Sequence, residues 1–153
     1  ELYEQVSLAA LKYHILKVDP KKSILFDPNE SIDFNGNTGP FIQYTYARIK
    51  SLEKKNNNNQ DFSKVNLSEK EREIIIILSE FDLIASSACK NLNPSLIANY
   101  TYELVKSYNS FYQSSTILGN KPINSFRIQL SSKVGEQIKT SMNLLGIDMP
   151  ERM

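Results

Sequence analysis

The residues best suited to chemistry lie within the stretch 33–48, where a glycine- and asparagine-rich loop leads into a helix. Phe41, Tyr44 and Arg48 are spaced i, i+3 and i+7, so helical geometry places two aromatic rings and a guanidinium on one strip. Aromatic rings stack on unpaired bases, and arginine donates hydrogen bonds to base edges and phosphates. The strip therefore suits recognition of single-stranded nucleic acid. Its spacing is also common in helices that bury an aromatic stripe, and on the pattern alone core packing is the more frequent role.

The loop before this strip has the composition of a tightly shaped turn. Asn35, Gly36, Asn37 and Gly39 lie within five consecutive residues. Glycine adopts positive φ angles without steric cost, and asparagine side chains hydrogen-bond to nearby backbone groups. Pro40 suits the first turn of a helix, because its missing N–H would have no intrahelical partner there. We therefore predict a loop of defined shape that ends where the helix begins.

Elsewhere the sequence offers few parts for catalysis. It has no G-x-x-x-x-G-K-[ST] loop, no G-x-S-x-G elbow and no H-E-x-x-H helix. Its one histidine, His14, has no nearby carboxylate pair, so a surface or packing role is expected. Its one cysteine, Cys89, excludes an internal disulfide and a multi-cysteine zinc site, and it is consistent with a reducing cytoplasm. We expect no catalytic site, no metal and no cofactor within these residues.

The charge balance limits the kind of partner. Lysine and arginine number 18 and aspartate and glutamate 17, which gives a formal charge of +1 over 153 residues. No global field attracts nucleic acid, so an RNA contact must be local, and DNA is not an expected partner. No stretch approaches eighteen uninterrupted apolar residues, so no membrane contact is expected. The chain begins at Glu1 within an apparent helix and without a methionine, which is typical of a fragment of a longer protein.

Two predicted helices flank the loop and position the strip. The first ends near Pro20, and its apolar residues recur at steps of four and three. The second begins near Pro40 and turns an apolar side to the core. The residues expected in the core are Leu2, Val6, Ala9, Tyr13 and Leu16 from the first helix and Ile42, Tyr46, Ile49 and Leu52 from the second.

Three further helices are predicted along the chain. A capping box of Ser68 and Glu71 starts one that ends near Lys90, although its four consecutive isoleucines would also suit a buried strand. Asn93 starts the next as an N-cap, and Gly146 ends the last. Their apolar stripes are Ile74, Ile77, Leu78, Phe81, Ala85 and Ala88, then Ile97, Tyr100, Leu104, Tyr108 and Phe111, and finally Phe126, Leu130, Val134, Ile138, Ser141 and Leu145.

Three other segments carry specific expectations. The runs 23–27 and 31–34, separated by a turn signal at Pro28, are consistent with a short β-hairpin. The asparagine-rich segment 53–65 has little to bury and is expected to be a mobile connection. Gly135 in the last helix indicates either a close approach of two elements or simple tolerance. The predicted fold class is all-α, an antiparallel helical bundle with a preceding helix and possibly this short hairpin.

Three blocks of sequence resemble the carboxyl-terminal part of class I arginyl-tRNA synthetases. A further likeness is the tyrosine-rich helix that follows Asn93, whereas the asparagine run and the isoleucine cluster match nothing diagnostic. In the family's order, the three blocks are 10–13, then 32–44 with Ala47 and Arg48, and then 143–147 with 150–153.

The resemblance implies a DALR-type anticodon-binding domain, the helical bundle that follows the catalytic domain in this family. It divides the chain into a stem segment, 1–34, from the end of the catalytic region and the anticodon-binding bundle, 35–153. The parent enzyme would join arginine to tRNA(Arg) using ATP with magnesium, in the cytoplasm. The HIGH-like and KMSKS-like signatures that carry this chemistry are absent. The fragment alone is therefore expected to be inactive, with tRNA(Arg) and the catalytic domain of the same chain as its partners.

By the same resemblance, the loop, the strip and the chain terminus read the anticodon. Tyr44 thus moves from expected core, and Arg48 from an expected solvated helix end, to expected RNA contact, while Tyr46 and Ile49 stay in the core. Two other hypotheses remain: a helical protein-docking module that binds no RNA, and an independent small enzyme, which no constellation of residues supports. The matching positions are Asn35, Gly36, Asn37, Phe41, Tyr44, Arg48 and Met153.

Overall fold

The computed structural model describes residues 2–25, 27–54, 65–119 and 122–153. Within these ranges every regular element is a helix and no β-strand occurs, so the predicted all-α fold is confirmed. The helices are α1 (Leu2–Leu16), α2 (Pro28–Ser31), α3 (Gly39–Glu53), α4 (Glu69–Ser79), α5 (Phe81–Lys90), α6 (Ser95–Ser114) and α7 (Pro122–Leu144).

The core lies between α3, α6 and α7, with α1 packed on α3 and with α4 and α5 packed on α6. The predicted stripes of these helices supply most of it, including Tyr46 and Ile49, which are inaccessible to solvent, but Leu2 is 40% exposed and its predicted place in the core is wrong. Burial raises the pKa of the Tyr108 hydroxyl to about 12, so this phenol is neutral in the folded protein. The largest fully buried side chains include Tyr13, Tyr46, Tyr108, Phe111, Ile42, Ile49, Ile74, Leu104 and Ile138.

A close approach of two backbones joins α1 to α3. A Cβ atom added to Gly39 would lie 2.7 Å from the carbonyl carbon of Ala9, well inside van der Waals contact. Ala9 and Ala10 are both buried, so small residues on the two helices let them cross at short range. The predicted first helix thus finds its partner in α3, at the point where α3 begins.

The predicted hairpin at 23–34 is wrong, because a short helix occupies its centre. Asp27 is the N-cap of α2, and its side chain accepts hydrogen bonds from the backbone N–H groups of Asn29 and Glu30. Pro28 takes the first helical position, where it has no N–H to lose. Asp27 and Pro28 start the short helix α2, whereas the sequence pattern predicts that Pro28 lies in a turn between two strands.

The predicted helix from Ser68 to Lys90 is divided in two at Glu80. The hydroxyl of Ser79 donates to the carbonyl oxygen of Ile76 at 2.7 Å, and the N–H of Glu80 bonds to Ile77 instead. A serine that bonds back to the preceding turn competes with the helical ladder and bends it. The isoleucine run belongs to α4, so the strand alternative is wrong.

The capping box at the start of α4 is confirmed and has a second use. The Ser68 side chain accepts from the Glu71 N–H, and a carboxylate oxygen of Glu71 accepts from the Ser68 N–H at 2.6 Å. Its other oxygen accepts from Nε of Arg127 at 2.7 Å. Glu71 has no solvent exposure, so this pair ties α4 to α7 inside the bundle.

Two glycines shape α7 and its end. A Cβ atom added to Gly135 would lie 2.9 Å from Cγ2 of Ile49, so this glycine marks a close approach of α7 to α3 rather than simple tolerance. Gly146 has φ +68° and terminates the helix in the left-handed conformation, as predicted.

The remaining expectations concern single residues and one connection. His14 is buried, with Nε2 3.3 Å from the carbonyl oxygen of Leu25, which fits the expected packing role. Cys89 is exposed. Within the described ranges, no helix is both long and apolar enough to cross a lipid bilayer. The asparagine run, for which mobility is predicted, lies outside the described residues.

Candidate nucleic-acid interface

An open pocket lies between the outer side of α3 and the last residues of the chain. Its volume is about 580 Å³. Three of the sequence-predicted positions lie on its wall, two from α3 and one from the terminus. The residues that line it are Tyr44, Ala47, Arg48, Ser51, Lys54, Arg152 and Met153, and we call it the α3–tail pocket.

Arg48 is held at the wall of this pocket by α3 and α6 together. Its guanidinium carbon lies 4.8 Å from the ring centroid of Tyr44, on its own helix, and 4.8 Å from that of Tyr112, on α6. One terminal N–H donates to the side-chain oxygen of Asn109 at 3.2 Å. An arginine has five N–H donors, so this arrangement leaves most of them for a ligand.

The pocket is locally cationic in a chain of nearly zero net charge. Arg48, Lys54 and Arg152 line it, and none of the lining side chains is acidic. The nearest described ion pair on its rim joins Lys54 to Glu151 at 4.0 Å, with both side chains more than half exposed, so it neutralises little. The pocket therefore favours an anionic ligand such as a nucleic-acid backbone.

The tail that brings Met153 to the pocket is anchored along α3. Gln43 is inaccessible to solvent and donates from its side-chain amide to the carbonyl oxygen of Asp148 at 2.8 Å. Ile147 and Pro150 are buried on either side of this bond. These contacts fix the direction of the chain, so the final residues run back to α3 beside Tyr44 and Arg48.

The predicted loop residues surround the start of α3 and are not all exposed. Asn35 is exposed, and its backbone N–H bonds to the Asp33 side chain at 2.8 Å. Asn37 is partly buried: its side-chain oxygen lies 2.7 Å from the Tyr13 hydroxyl, and its carbonyl oxygen accepts from Lys17 at 3.0 Å. Asn37 thus shapes the loop through α1, whereas Asn35 and Gly36 leave polar groups accessible.

Phe41 does not join the pocket. Its ring is partly buried against the core, 6.1 Å from the Tyr102 ring on α6. The strip predicted from the spacing therefore separates in the structure: Tyr44 and Arg48 face the pocket, and Phe41 packs between helices. Phe34 of the loop instead places an aromatic ring beside Tyr44, with the two ring centroids 6.4 Å apart and the planes nearly perpendicular.

Several residues that line the pocket or contact Arg48 from behind it were not identified from the sequence. Asn109 and Tyr112 are distant along the chain, and only the packing of α6 on α3 brings them to Arg48. Lys54 gave one signal, since it follows Ala47 by seven residues and Ser51 by three, spacings that place residues on one side of a helix. Arg152 belongs to the block that resembles the family terminus, but only Met153 was selected from it.

The sequence has recognisable relatives. A family model described as the DALR anticodon binding domain matches residues 42–153. The chain belongs to this family. The matched stretch of the DALR domain contains Tyr44, Arg48 and Met153, and it begins after the loop and after Phe41.

The DALR domain is similar to parts of longer proteins. The arginine–tRNA ligase of Flavobacterium psychrophilum is 54% identical over 155 residues, covering 99% of the chain and 26% of that protein. The arginine–tRNA ligase of Phocaeicola vulgatus is 51% identical over 156 residues, covering 97% of the chain and 26% of that protein. The chain thus spans about a quarter of the length of these curated relatives.

A solved structure has the same fold. The arginyl-tRNA synthetase of Thermus thermophilus superposes with a TM-score of 0.89 at 28% sequence identity, over 97% of the chain and 27% of that protein. The DALR domain therefore keeps the helical architecture of that synthetase, and the predicted resemblance to the arginyl-tRNA synthetase family is confirmed.

Proposed function

We propose that this DALR domain binds the anticodon loop of tRNA(Arg) in the α3–tail pocket. The observation that carries the proposal is the convergence of Tyr44, Arg48 and Met153 on one open cavity lined by three cationic side chains and no acidic side chain. The supporting context is membership of an anticodon-binding family. The ring and the guanidinium supply stacking and hydrogen bonding, which are the two interactions used to recognise unpaired bases.

Each pocket residue has a role in the proposed recognition. Arginine codons share G at the second position, so their anticodons share a central C. An unpaired cytosine presents two adjacent acceptors, O2 and N3, which suit the paired donors of a guanidinium such as that of Arg48. Tyr44 is 44% exposed and offers a surface on which the base stacks. Met153 closes the pocket from the tail, and Lys54 and Arg152 contact the neighbouring phosphates.

The other sequence-predicted positions support this surface. We propose that Asn35 and Gly36 contact the RNA with backbone and side-chain polar groups, because both lie on the accessible side of the loop. Asn37 holds the loop in shape through Tyr13 and Lys17. Phe41 supports the surface indirectly, because it packs α3 against α6 below Tyr44.

For the whole protein we propose the activity of its relatives, the joining of arginine to tRNA(Arg) with ATP and magnesium in the cytoplasm. The described residues contain no group of three or more metal-ligating side chains, and the sequence has no phosphate-binding loop. These residues do not fit a nucleotide or its metal, so we place both sites in the remainder of a longer chain. In that arrangement 1–34 is the stem and 35–153 the anticodon-binding unit.

The partner of α1 is the second component of the proposal. Leu8, Leu11 and Ile15 lie on one side of this helix and are each more than 40% exposed. Their spacing of three and four residues makes an apolar stripe turned away from α3. We propose that this stripe packs against the catalytic domain of the same chain, so docking accompanies RNA binding and is not an alternative to it.

The test is the affinity of the full-length protein for two tRNA(Arg) transcripts, one with the natural central C and one with U. Tyr44→Ala is expected to weaken binding of the natural transcript by roughly 1–3 kcal/mol, the value of one base-stacking contact. Tyr3→Ala removes a tyrosine ring from α1 that is 88% exposed and lies outside the pocket, and it serves as the control, with no loss expected. Equal affinity of the unchanged protein for both transcripts would exclude the proposal.

A further inference from the structure

The hydrogen bonds around Arg48 form a chain that runs through the helix interface. The side-chain oxygen of Asn109 accepts from Arg48 at 3.2 Å, and its N–H2 group donates to the hydroxyl oxygen of Thr45 at 3.0 Å. The Thr45 hydroxyl in turn donates to the carbonyl oxygen of Phe41 at 3.1 Å. Because Thr45 is inaccessible to solvent, the Asn109 amide has one satisfied orientation, with its oxygen towards Arg48.

The ring of Tyr112 restricts the same side chain by a different interaction. Its centroid lies 4.8 Å from the guanidinium carbon of Arg48, within the range of a cation–π contact. Tyr112 is itself packed against Tyr108 of the core, with their ring centroids 6.2 Å apart. The guanidinium is thus held from α6 by a ring and an amide, both of which rest on buried side chains.

Both α6 contacts fix Arg48 without neutralising it. Asn109 is an uncharged acceptor, and Arg48 forms no ion pair with any carboxylate among the residues that the structure describes. An aspartate at position 109 would supply the same acceptor geometry but would compete for the positive charge. The pocket therefore presents an ordered guanidinium whose charge remains available to a ligand.

We propose that Asn109 and Tyr112 are positioning residues for RNA recognition, which hold Arg48 ready to donate hydrogen bonds to the base in the α3–tail pocket. Neither residue lines that pocket, so both act through Arg48. A long flexible side chain that is already ordered loses less conformational entropy when it binds, so an ordered Arg48 raises the affinity for the ligand that it recognises. The proposal rests on the proposed function of the pocket.

The test compares the full-length protein and its variants on the tRNA(Arg) transcripts with a central C and a central U. Asn109→Ala and Tyr112→Leu are expected to weaken binding of the C transcript by roughly threefold to tenfold, as for loss of one typical hydrogen bond or one cation–π contact. Binding of the U transcript is expected to stay unchanged, so the ratio of the two affinities falls. Asn109→Asp is nearly isosteric and is expected to lower the ratio as well, because its carboxylate holds the guanidinium in an ion pair.

Three comparisons separate positioning from general packing. Tyr112→Phe keeps the ring and is expected to retain most of the discrimination. Asn99→Ala removes an exposed α6 asparagine that bonds to the Lys17 carbonyl, outside the pocket, and is expected to leave the ratio unchanged. In an Arg48→Met background, Asn109→Ala is expected to have no further effect on either transcript.

The outcomes distinguish the two proposals. If the unchanged protein does not discriminate between the transcripts, the proposed function of the pocket fails. If it discriminates but Asn109→Ala and Tyr112→Leu keep the same affinity ratio, the positioning role is overturned. The same conclusion follows if these substitutions lower the ratio as much in the Arg48→Met background as they do when Arg48 is present. If Tyr112→Leu loses its helical circular dichroism signal, the nearly isosteric Asn109→Asp is used instead. A lowered affinity ratio for Asn109→Asp supports the positioning role, and an unchanged ratio overturns it.

Discussion

Glu71 is a fully buried carboxylate that makes two contacts at once. One oxygen accepts the backbone N–H of Ser68 at 2.6 Å, and the other accepts Nε of Arg127 at 2.7 Å. Burial alone would raise the pKa of this carboxyl, but the hydrogen bonds from Arg127 and Ser68 outweigh burial and hold the pKa below its ordinary value. The fold therefore stabilises the charged form.

The contribution of Glu71 to stability should depend on pH. Since its pKa is lower in the folded than in the unfolded protein, the contribution is complete above the ordinary pKa and is lost as the pH falls through the lowered value. Glu71→Gln lacks this term, so the gap in melting temperature between the unchanged protein and the variant is expected to be widest near neutral pH and to narrow in acid. Thermal unfolding followed from about pH 7 to about pH 3 measures it.

The control is Glu69→Gln, which removes an exposed carboxylate from the same helical turn. Its effect on the melting temperature is expected to be small at every pH, because an exposed group gains little from folding. A gap for Glu71→Gln that stays constant down to acid pH would contradict the assignment of the ion pair.

For single residues, helical periodicity predicts some positions in the structure and not others. The positions of Tyr46 and Ile49 in the core follow from the 3.6-residue repeat alone, and both are buried. The division between Phe41 and Tyr44 does not, because both lie on the edge of the apolar arc and only the position of α6 decides which is covered. Asn109 is one of many polar residues on α6, and nothing local indicates that it meets Arg48.

The crossing of α1 and α3 gives a prediction for an element. A Cβ atom at Gly39 meets the backbone of Ala9, which cannot rotate away as a side chain can. Gly39→Ala is therefore expected to destabilise the protein by roughly 1–3 kcal/mol through overpacking, although alanine favours helix more than glycine. The free energy of unfolding in urea measures the loss.

Gly36→Ala is the matched control three residues earlier. There the added Cβ would lie 3.4 Å from the nearest atom, a carboxylate oxygen of Asp33, which is an ordinary contact. Its effect on the free energy of unfolding is expected to stay within about 0.5 kcal/mol. Equal losses for the two variants would argue against a close approach at Gly39.

Helix boundaries show where sequence patterns succeed for elements and where they fail. The capping box of Ser68 and Glu71, the N-cap region at Asn93 and the stop at Gly146 all lie where predicted, because each signal is a local hydrogen bond or backbone conformation. The hairpin prediction failed because Asp27 and Pro28 suit a helix start as well as a turn. The break at Glu80 depends on the hydroxyl of Ser79, and serine hydroxyls that bond to the preceding turn also occur inside unbroken helices.

The charge of the whole molecule sets how RNA binding should respond to salt. With a formal charge of +1, the protein has little long-range attraction for RNA, so the response comes from the two cations of the α3–tail pocket that are proposed to contact phosphates, Lys54 and Arg152. If each of them releases one counterion from a single-stranded loop, the logarithm of the association constant should fall with a slope of roughly −1.4 against the logarithm of salt concentration. Binding measured over a salt series gives this slope.

Single substitutions apportion the slope among the cations. Lys54→Gln and Arg152→Gln are each expected to make it less steep by roughly 0.7, the value for one phosphate contact in a single strand. Lys133→Gln removes a well-exposed lysine of α7, outside the pocket, and is expected to leave it unchanged. A loss spread evenly over all three variants would point to diffuse binding by the whole surface.

The position of Met153 has a practical consequence for work on the molecule. The segment before it is anchored by Gln43 and by the buried Ile147 and Pro150, so a peptide joined after Met153 starts at the cavity. Such a peptide is a tethered competitor, present at an effective concentration on the order of millimolar whatever the protein concentration. RNA affinities measured with a peptide joined there should therefore read low.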